Sequence, residues 1–265
     1  MVSRQLPAGL AATALTPLAK EAATGRPIIF VSPHPDDETL GFNVQLWRHV
    51  AASRDVHVLT LTRGTATRVR AELNGETTPV WWKVRHDPTL EGYAPLSETA
   101  VGTARMAEQQ AACAAVGIGA DRIHDANLQD GKVTVAQAKA AIIALADRLG
   151  ADTGLWAPSY LVDNHPDHLA AGQAVQALGR EQPTRFWDRR YVVARPYWSD
   201  PRLAQIAGEV YASAANATER DRTINALRCY GAWQPQRGAF AIGMHSVPET
   251  FTALLAGPKC LVHKD

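Results

Sequence analysis

Pro27-Ile28-Ile29-Phe30-Val31-Ser32, followed at once by Pro33-His34-Pro35-Asp36-Asp37-Glu38, is the stretch from which the fold of this 265-residue chain can be read. The first six residues form a largely apolar run between prolines, as expected of a strand buried on both faces. From Glu38 to about Ser53 the pattern turns helical, with Leu40, Val44, Trp47 and Val50 at three- and four-residue spacing. Val56 to Thr62 then reads as a second strand. Strand, helix and strand with short connections predict a parallel βαβ unit.

Downstream the alternation continues. Ser97 to Val116 reads as a helix and Arg122 to Asp125 as a short strand. Thr134 to Leu149 has a capping-box signature in Thr134 and Gln137, and Val135, Ala138, Ile142, Leu145 and Leu149 share one face. Gly154 to Pro158 is a further apolar strand. It leads through Asn164-His165-Pro166-Asp167-His168 into a helix of small residues ending near Gly179. Tyr191 to Ala194 and Cys260 to His263 are strand candidates, and Thr218 to Tyr230 is a helix candidate. Residues 63–97 break the rhythm with Gly64, Gly75, Pro79, Pro88, Gly92 and Pro95. A loop this long in a compact domain is commonly functional or disordered, and Trp81 and Trp82 argue against simple disorder. It is read as a loop capping the substrate. Residues 195–265 are less regular. With no repeat or linker, the expectation is one α/β domain spanning 1–265.

Composition excludes several classes. A formal net charge of +1 sets up no field for nucleic acid or an acidic membrane. Three cysteines (Cys113, Cys229, Cys260) without a CxxC pair argue against both a disulfide framework and a zinc–thiolate site. No apolar run approaches the roughly 20 residues needed to span a bilayer. Met1 to Thr24 is Ala/Leu-rich, but Pro7 and Gly9 interrupt it, so it reads as an amphipathic lead-in rather than a signal peptide. The expected location is cytoplasmic.

Two clusters, PHPDDE at Pro33–Glu38 and HPDH at His165–His168, each sit between a predicted strand and a predicted helix. In an open parallel sheet such junctions line one crevice, so the clusters can meet in space. A catalytic zinc takes three protein ligands from imidazole and carboxylate, plus water. His34, Asp37 and His168 supply that set, one ion per chain, with another divalent metal possible. Asp36, His165 and Asp167 are left over, and hydrolysis uses such groups as a base and as a stabiliser of the oxyanion. An Asp-Asp pair before a helix is often only a cap; two such clusters at equivalent junctions outweigh that reading. His49, His57, His86, His124 and His263 stand alone and are read as structural.

These residues resemble the (A/P)HPDDE and HxDH motifs of the PIG-L/LmbE-like family of zinc-dependent N-acetyl sugar deacetylases, with the likeness running from about Pro27 to about Ala194. The resemblance implies a Rossmann-like, mostly parallel sheet with helices on both faces, and removal of acetate from an N-acetylglucosamine unit. By matching positions it implies His34, Asp37 and His168 as metal ligands and Asp36 as general base. It implies His165 as the group that polarises the carbonyl or protonates the amine, with Asp167 as its partner. The tracts GFNVQLWRH (41–49), WWKVRHD (81–87) and GYAPLS (92–97) look like the branch acting on glycopeptide-antibiotic pseudoaglycones. Thiol-sugar and aminoglycoside precursors are the alternative substrates. The expected partner is thus a small glycosylated substrate, with no nucleic acid and no membrane.

Candidate substrate contacts are Trp81 and Trp82, which can stack on sugar faces, together with Arg68 and His245. For each, a structural role is the competing reading. A dinucleotide-binding oxidoreductase would share the strand and helix order, but it needs a Gly-rich turn where PHPDDE stands. A non-catalytic, metal-containing sugar-binding module would not need Asp36 and His165 beside the ligands.

Overall fold

A computed structural model describes residues 26–150, 152–206 and 210–265; the Met1–Thr24 segment lies outside the described residues. Nine strands are seen among them: β1 Pro27–Ser32, β2 Asp55–Thr62, β3 Ile123–Leu128, β4 Gly154–Pro158, β5 Arg189–Val193, β6 Val210–Ser213, β7 Trp233–Gln234, β8 Ala239–Phe240 and β9 Lys259–His263. The helices are α1 Val44–Ala51, α2 Val69–Leu73, α3 Pro88–Glu91, α4 Glu98–Ala115, α5 Val135–Leu149, α6 Pro166–Glu181, α7 Ala217–Cys229, α8 Ile242–Ser246 and α9 Pro248–Ala256. The main sheet has the order β3-β2-β1-β4-β5-β9-β6. Its first five strands are parallel, and β9 and β6 extend it antiparallel.

Strand alternation splits the core into two layers. Ile28 and Phe30 of β1, with Val56, Val58 and Trp156, pack under Leu46 of α1, Cys113 of α4, Leu227 of α7 and Phe251 of α9. Ile29 and Val31, with Leu59, Leu61, Leu155 and Ala157, face α5 and α6 through Ile142, Leu145, Ala171, Val175 and Leu178. Helices thus cover both faces, as a parallel sheet requires. No helix among the described residues is long and apolar enough to cross a membrane.

The capping box on α5 forms as expected, with Thr134 accepting from the Gln137 backbone and Gln137 accepting from that of Thr134. The continuous helix expected from Glu38 to Ser53 does not form. Glu38–Phe42 is a wide π-type turn, and Asn43 (φ 23°) separates it from α1. Asn43 holds the break with its own side chain. Its Oδ1 accepts the Val44 N–H at 2.7 Å, and its Nδ2 donates to the Leu40 and Lys259 carbonyls at 3.2 and 3.0 Å.

Residues 63–97 are more ordered than their composition suggests. Val69, Leu73 and Leu96 share a small core with Val101, Ala104, Phe240 and Ile242. The β7–β8 hairpin, β6, α8 and α9 have no clear counterpart in the sequence pattern, being short or lying in the irregular C-terminal third.

Candidate active site

The strand order reverses between β1 and β4: the chain moves outward from β1 through β2 to β3, then crosses back to β4 on the other side. The crevice at the C-terminal ends of strands flanking such a reversal is where open α/β sheets bind ligands. PHPDDE leaves β1 there, and the segment from Ser159 to His168 leaves β4 there.

The structure brings His34, Asp36, Asp37, His165, Asp167 and His168 together at this point. Three atoms form a near-equilateral triangle. His34 Nδ1 is 3.1 Å from Asp37 Oδ2, His168 Nε2 is 3.2 Å from the same oxygen, and the two nitrogens are 3.3 Å apart. Ligand atoms about 2.0–2.1 Å from a tetrahedral ion stand about 3.4 Å from one another, so the triangle fits one divalent metal.

The hydrogen bonds behind the rings agree with that fit. His168 Nδ1 lies 2.9 Å from Asp163 Oδ2, so its proton is held there and Nε2 turns a lone pair to the centre. His34 Nε2 lies 3.2 Å from Asp130 Oδ1 and 3.3 Å from Asp167 Oδ2, which leaves Nδ1 for the centre. His34, Asp130 and Asp167 also cluster closely enough to hold an ion, as do the three histidines. In the first of these sets the two carboxylates face the N–H that fixes the His34 tautomer. In the second, His165 Nδ1 already accepts the Asp167 N–H at 3.2 Å.

Electrostatics tie the cluster together. Burial pulls His168 down, but Asp37 and Asp163 outweigh it and push its pKa up to about 10, so an ion binding at Nε2 would have to displace the proton that the ring otherwise shares with Asp37. Burial likewise opposes the ionised Asp37, and His168 and His34 nevertheless hold it well below the usual carboxylate range.

Asp36 and Asp37 diverge although adjacent. Asp36 has φ 145°, a backbone region L-residues rarely enter. Its Oδ2 accepts from the Arg105 guanidinium at 3.0 Å rather than joining the triangle. Burial raises its pKa to about 7 against the opposing pull of Arg105. His165 caps the N-terminus of α6 through Nδ1, so in its neutral form the proton sits on Nε2. Burial, then the neighbouring His34 and His168, lower its pKa, which favours that form.

The carboxylate of Asp167 is not the partner of the His165 ring that the motif match implies. It accepts the backbone N–H groups of Gly131 and Val133 at 2.8 and 2.9 Å and faces His34. It therefore anchors the turn after β3 that carries Asp130.

A cavity of about 240 Å³ opens beside the triangle, lined by Asp37, His165 and His168 at one end. Its other walls are mostly apolar and include Leu40, Val192, Pro196, Tyr197 and Val247. None of residues 63–97 lines it. Trp82 instead packs against His86, Trp233 and His245, and Trp81 meets Trp82 and His245 edge-on, in one aromatic cluster in which His245 is fully buried. The His245 ring donates from Nδ1 to the Ala241 carbonyl at 2.8 Å, and its Nε2 lies 3.0 Å from that of His86. Arg68 pairs with Glu72 and reaches the Ser246 carbonyl. These four candidate substrate contacts are engaged with the protein itself, because the segment folds onto α8 and the β7–β8 hairpin.

The sequence motifs do not single out Asp130, Asp163 or Arg105. Asp163 stands two residues before HPDH, and Asp130 follows a strand at the same sheet edge, so position could have marked both. Arg105 lies inside α4, where nothing local distinguishes it.

Similar solved structures share this architecture. A deacetylase of the teicoplanin biosynthesis pathway aligns at 16% identity and TM-score 0.62, covering 90% of this chain and 98% of that one. The A40926 pseudoaglycone deacetylase aligns at 16% identity and TM-score 0.59, covering 90% and 96%. An N,N'-diacetylchitobiose deacetylase from Pyrococcus horikoshii aligns at 17% identity and TM-score 0.50, covering 86% and 79%. No curated protein matches the chain. Residues 29–178, which carry both clusters, match the family PIG-L, described as GlcNAc-PI de-N-acetylase; spanning more than half of the chain, the match shows that this protein belongs to that family.

Proposed function

We propose that the protein is a metal-dependent N-deacetylase that releases acetate from an N-acetylglucosaminyl group of a small glycoconjugate. The observation that carries this reading is the triangle of His34 Nδ1, Asp37 Oδ2 and His168 Nε2 with a second carboxylate, Asp36, beside it but turned away. His34, Asp37 and His168 would hold zinc or a similar divalent ion. Such an ion supplies Lewis acidity and makes hydroxide available near neutral pH.

The chain's own groups do the proton work. Asp36 takes the proton of the attacking water, and Arg105 keeps its carboxyl in place. His165, donating from Nε2, stabilises the carbonyl oxygen as it gains charge. The proton gathered at Asp36 is then available to the departing amine. Removing a positioned base or an oxyanion donor commonly costs on the order of 100-fold in turnover.

For the finer substrate class we favour a glycopeptide-antibiotic pseudoaglycone. Two observations support it. The three sequence tracts resemble that branch, and the fold likeness to the teicoplanin-pathway deacetylase extends over 98% of that chain. Mass spectrometry of acetylated sugar conjugates incubated with the metal-loaded protein tests both levels. Loss of one acetyl group from a pseudoaglycone and not from simple N-acetylglucosaminides supports the finer reading. Asp36→Asn should keep one metal per chain and lose about 100-fold or more in kcat. A fully active Asp36→Asn would refute the assignment of the base.

A further inference from the structure

Glu38 closes the PHPDDE cluster, yet nothing proposed so far uses it. It is fully buried, and its carboxylate gathers donors from four directions. Oε2 accepts the Asp36 backbone N–H at 3.1 Å and the Gln109 amide at 2.9 Å. Oε1 accepts the Tyr230 hydroxyl and, at 2.7 Å, that of Thr39. Gln109 is itself oriented, since its Oε1 accepts the Thr60 hydroxyl at 2.8 Å. The backbone N–H of Glu38 donates to Ser32 Oγ at 3.1 Å, and Ser32 Oγ donates to the His34 carbonyl at 2.6 Å.

These bonds converge on the one backbone position in the cluster that is out of the ordinary. Asp36 at φ 145° is held from three sides. Glu38 takes its N–H, the N–H groups of Thr39 and Leu40 meet its carbonyl at 3.1 and 2.8 Å, and Arg105 takes its side chain. Strained backbone persists only where the surroundings over-determine it. Here the strain has a visible result: neighbouring carboxyls point to different places, Asp37 into the triangle and Asp36 to Arg105.

We infer that Glu38, backed by Tyr230 and Gln109, is a positioning residue that holds the Asp36 carboxyl out of the metal ligand set and in place as the base. This inference rests on the deacetylase reading for its kinetic consequence and on geometry alone for its structural one.

The test compares Glu38→Gln and Tyr230→Phe with wild type, using Ile142→Ala on α5 as a variant that lowers stability away from the network. A carboxamide cannot accept from all of the donors that surround Glu38. Misplacement of a reacting group by about 1 Å can cost about 100-fold. Glu38→Gln should therefore lose about 30-fold or more in kcat, with KM within about threefold and one metal per chain retained. Tyr230→Phe, which leaves Thr39 on the same oxygen, should lose about 3- to 10-fold, while Ile142→Ala lowers the melting temperature and keeps kcat.

A crystal structure of Glu38→Gln, or of Tyr230→Phe should Glu38→Gln fail to fold, should show Asp36 leaving its positive φ or losing Arg105. The inference is overturned if folded variants keep kcat within twofold, if their loss is in metal or KM rather than kcat, or if Asp36 stays near φ 145° with Arg105 in place. A wild-type protein that releases no acetate refutes the deacetylase reading instead, and the crystal structure still decides the positioning role.

Discussion

Gly172→Ala separates two opposed effects at the helix that presents His168. Gly172 lies one turn beyond His168 on α6 and is buried against the end of β4. A Cβ there would stand 2.5 Å from the Pro158 carbonyl oxygen, 2.7 Å from Tyr160 N and 2.8 Å from Ser159 C. All three are backbone atoms and cannot swing aside. Restoring ordinary contact moves α6 back by about 1 Å in an interior that is already close-packed. Alanine favours a helix interior over glycine by about 1 kcal/mol, whereas overpacking costs about 1–3 kcal/mol. Three backbone atoms inside 3.0 Å put the cost at the upper end of that range, so sterics win by up to about 2 kcal/mol, which lowers the melting temperature by up to about 4–8 °C in a chain of this size.

The same shift opens the His34–His168 edge of the triangle from 3.3 Å by an amount several times the roughly 0.2 Å tolerance of a metal site. Metal affinity should fall by at least about tenfold, a loss of about 1.4 kcal/mol. Thermal melts with and without chelator, together with metal titration against a chromophoric competitor, measure both effects. A variant that melts at or above wild type and binds metal equally well would refute the reasoning, showing that helix propensity acts alone and that α6 does not set the position of His168.

Other consequences follow from the same geometry. Asp163→Asn removes the carboxylate that holds the proton on His168 Nδ1, and metal affinity in a competition titration should fall by about 10–100-fold. Stripping the metal with a chelator should lower the melting temperature, since an ion present at 100 times its dissociation constant stabilises the fold by about 2.7 kcal/mol. An unchanged melt would argue that the triangle holds no ion. His49 sits between Phe30 and Trp156, and burial lowers its pKa to about 3. Its folded pKa thus lies below the unfolded value near 6.5, so the unfolded chain binds more protons in that window. Stability is therefore lost as pH falls from about 6.5 towards 3, by about 2 kcal/mol at pH 5. His49→Phe should flatten that acid limb in denaturant titrations, and an acid limb as steep as that of wild type would exclude His49 as a source.

The sequence is most legible where periodicity and junction chemistry coincide. The short run PIIFVS, closed by prolines at both ends, reads as a strand buried on both sides, and Thr134 with Gln137 announces the start of α5. Two acidic, histidine-bearing junctions point to one crevice. The break at Asn43 is hidden because a hydrogen bond to the Lys259 carbonyl, 216 residues away, helps to hold it. The surroundings of Trp81, Trp82 and His245 are hidden for a related reason. An aromatic residue on a Gly/Pro-rich segment looks the same in sequence whether it faces a sugar or four other rings, and only the packing of α8 and the β7–β8 hairpin decides. Arg105 is similarly silent, since its role depends on α4 passing over the turn that carries Asp36.

The placement of the crevice between β1 and β4 also constrains how the protein comes to be assembled. His34 and Asp37 are three residues apart, but His168 is 134 residues beyond His34. Before β4 docks beside β1, an ion would meet only a two-donor pair, and closing so long a loop is a late and slow event in folding. Tight uptake of a metal by the proposed site should therefore coincide with the joining of the two halves of the sheet, which would make such an ion a kinetic reporter of that step rather than a nucleus for it.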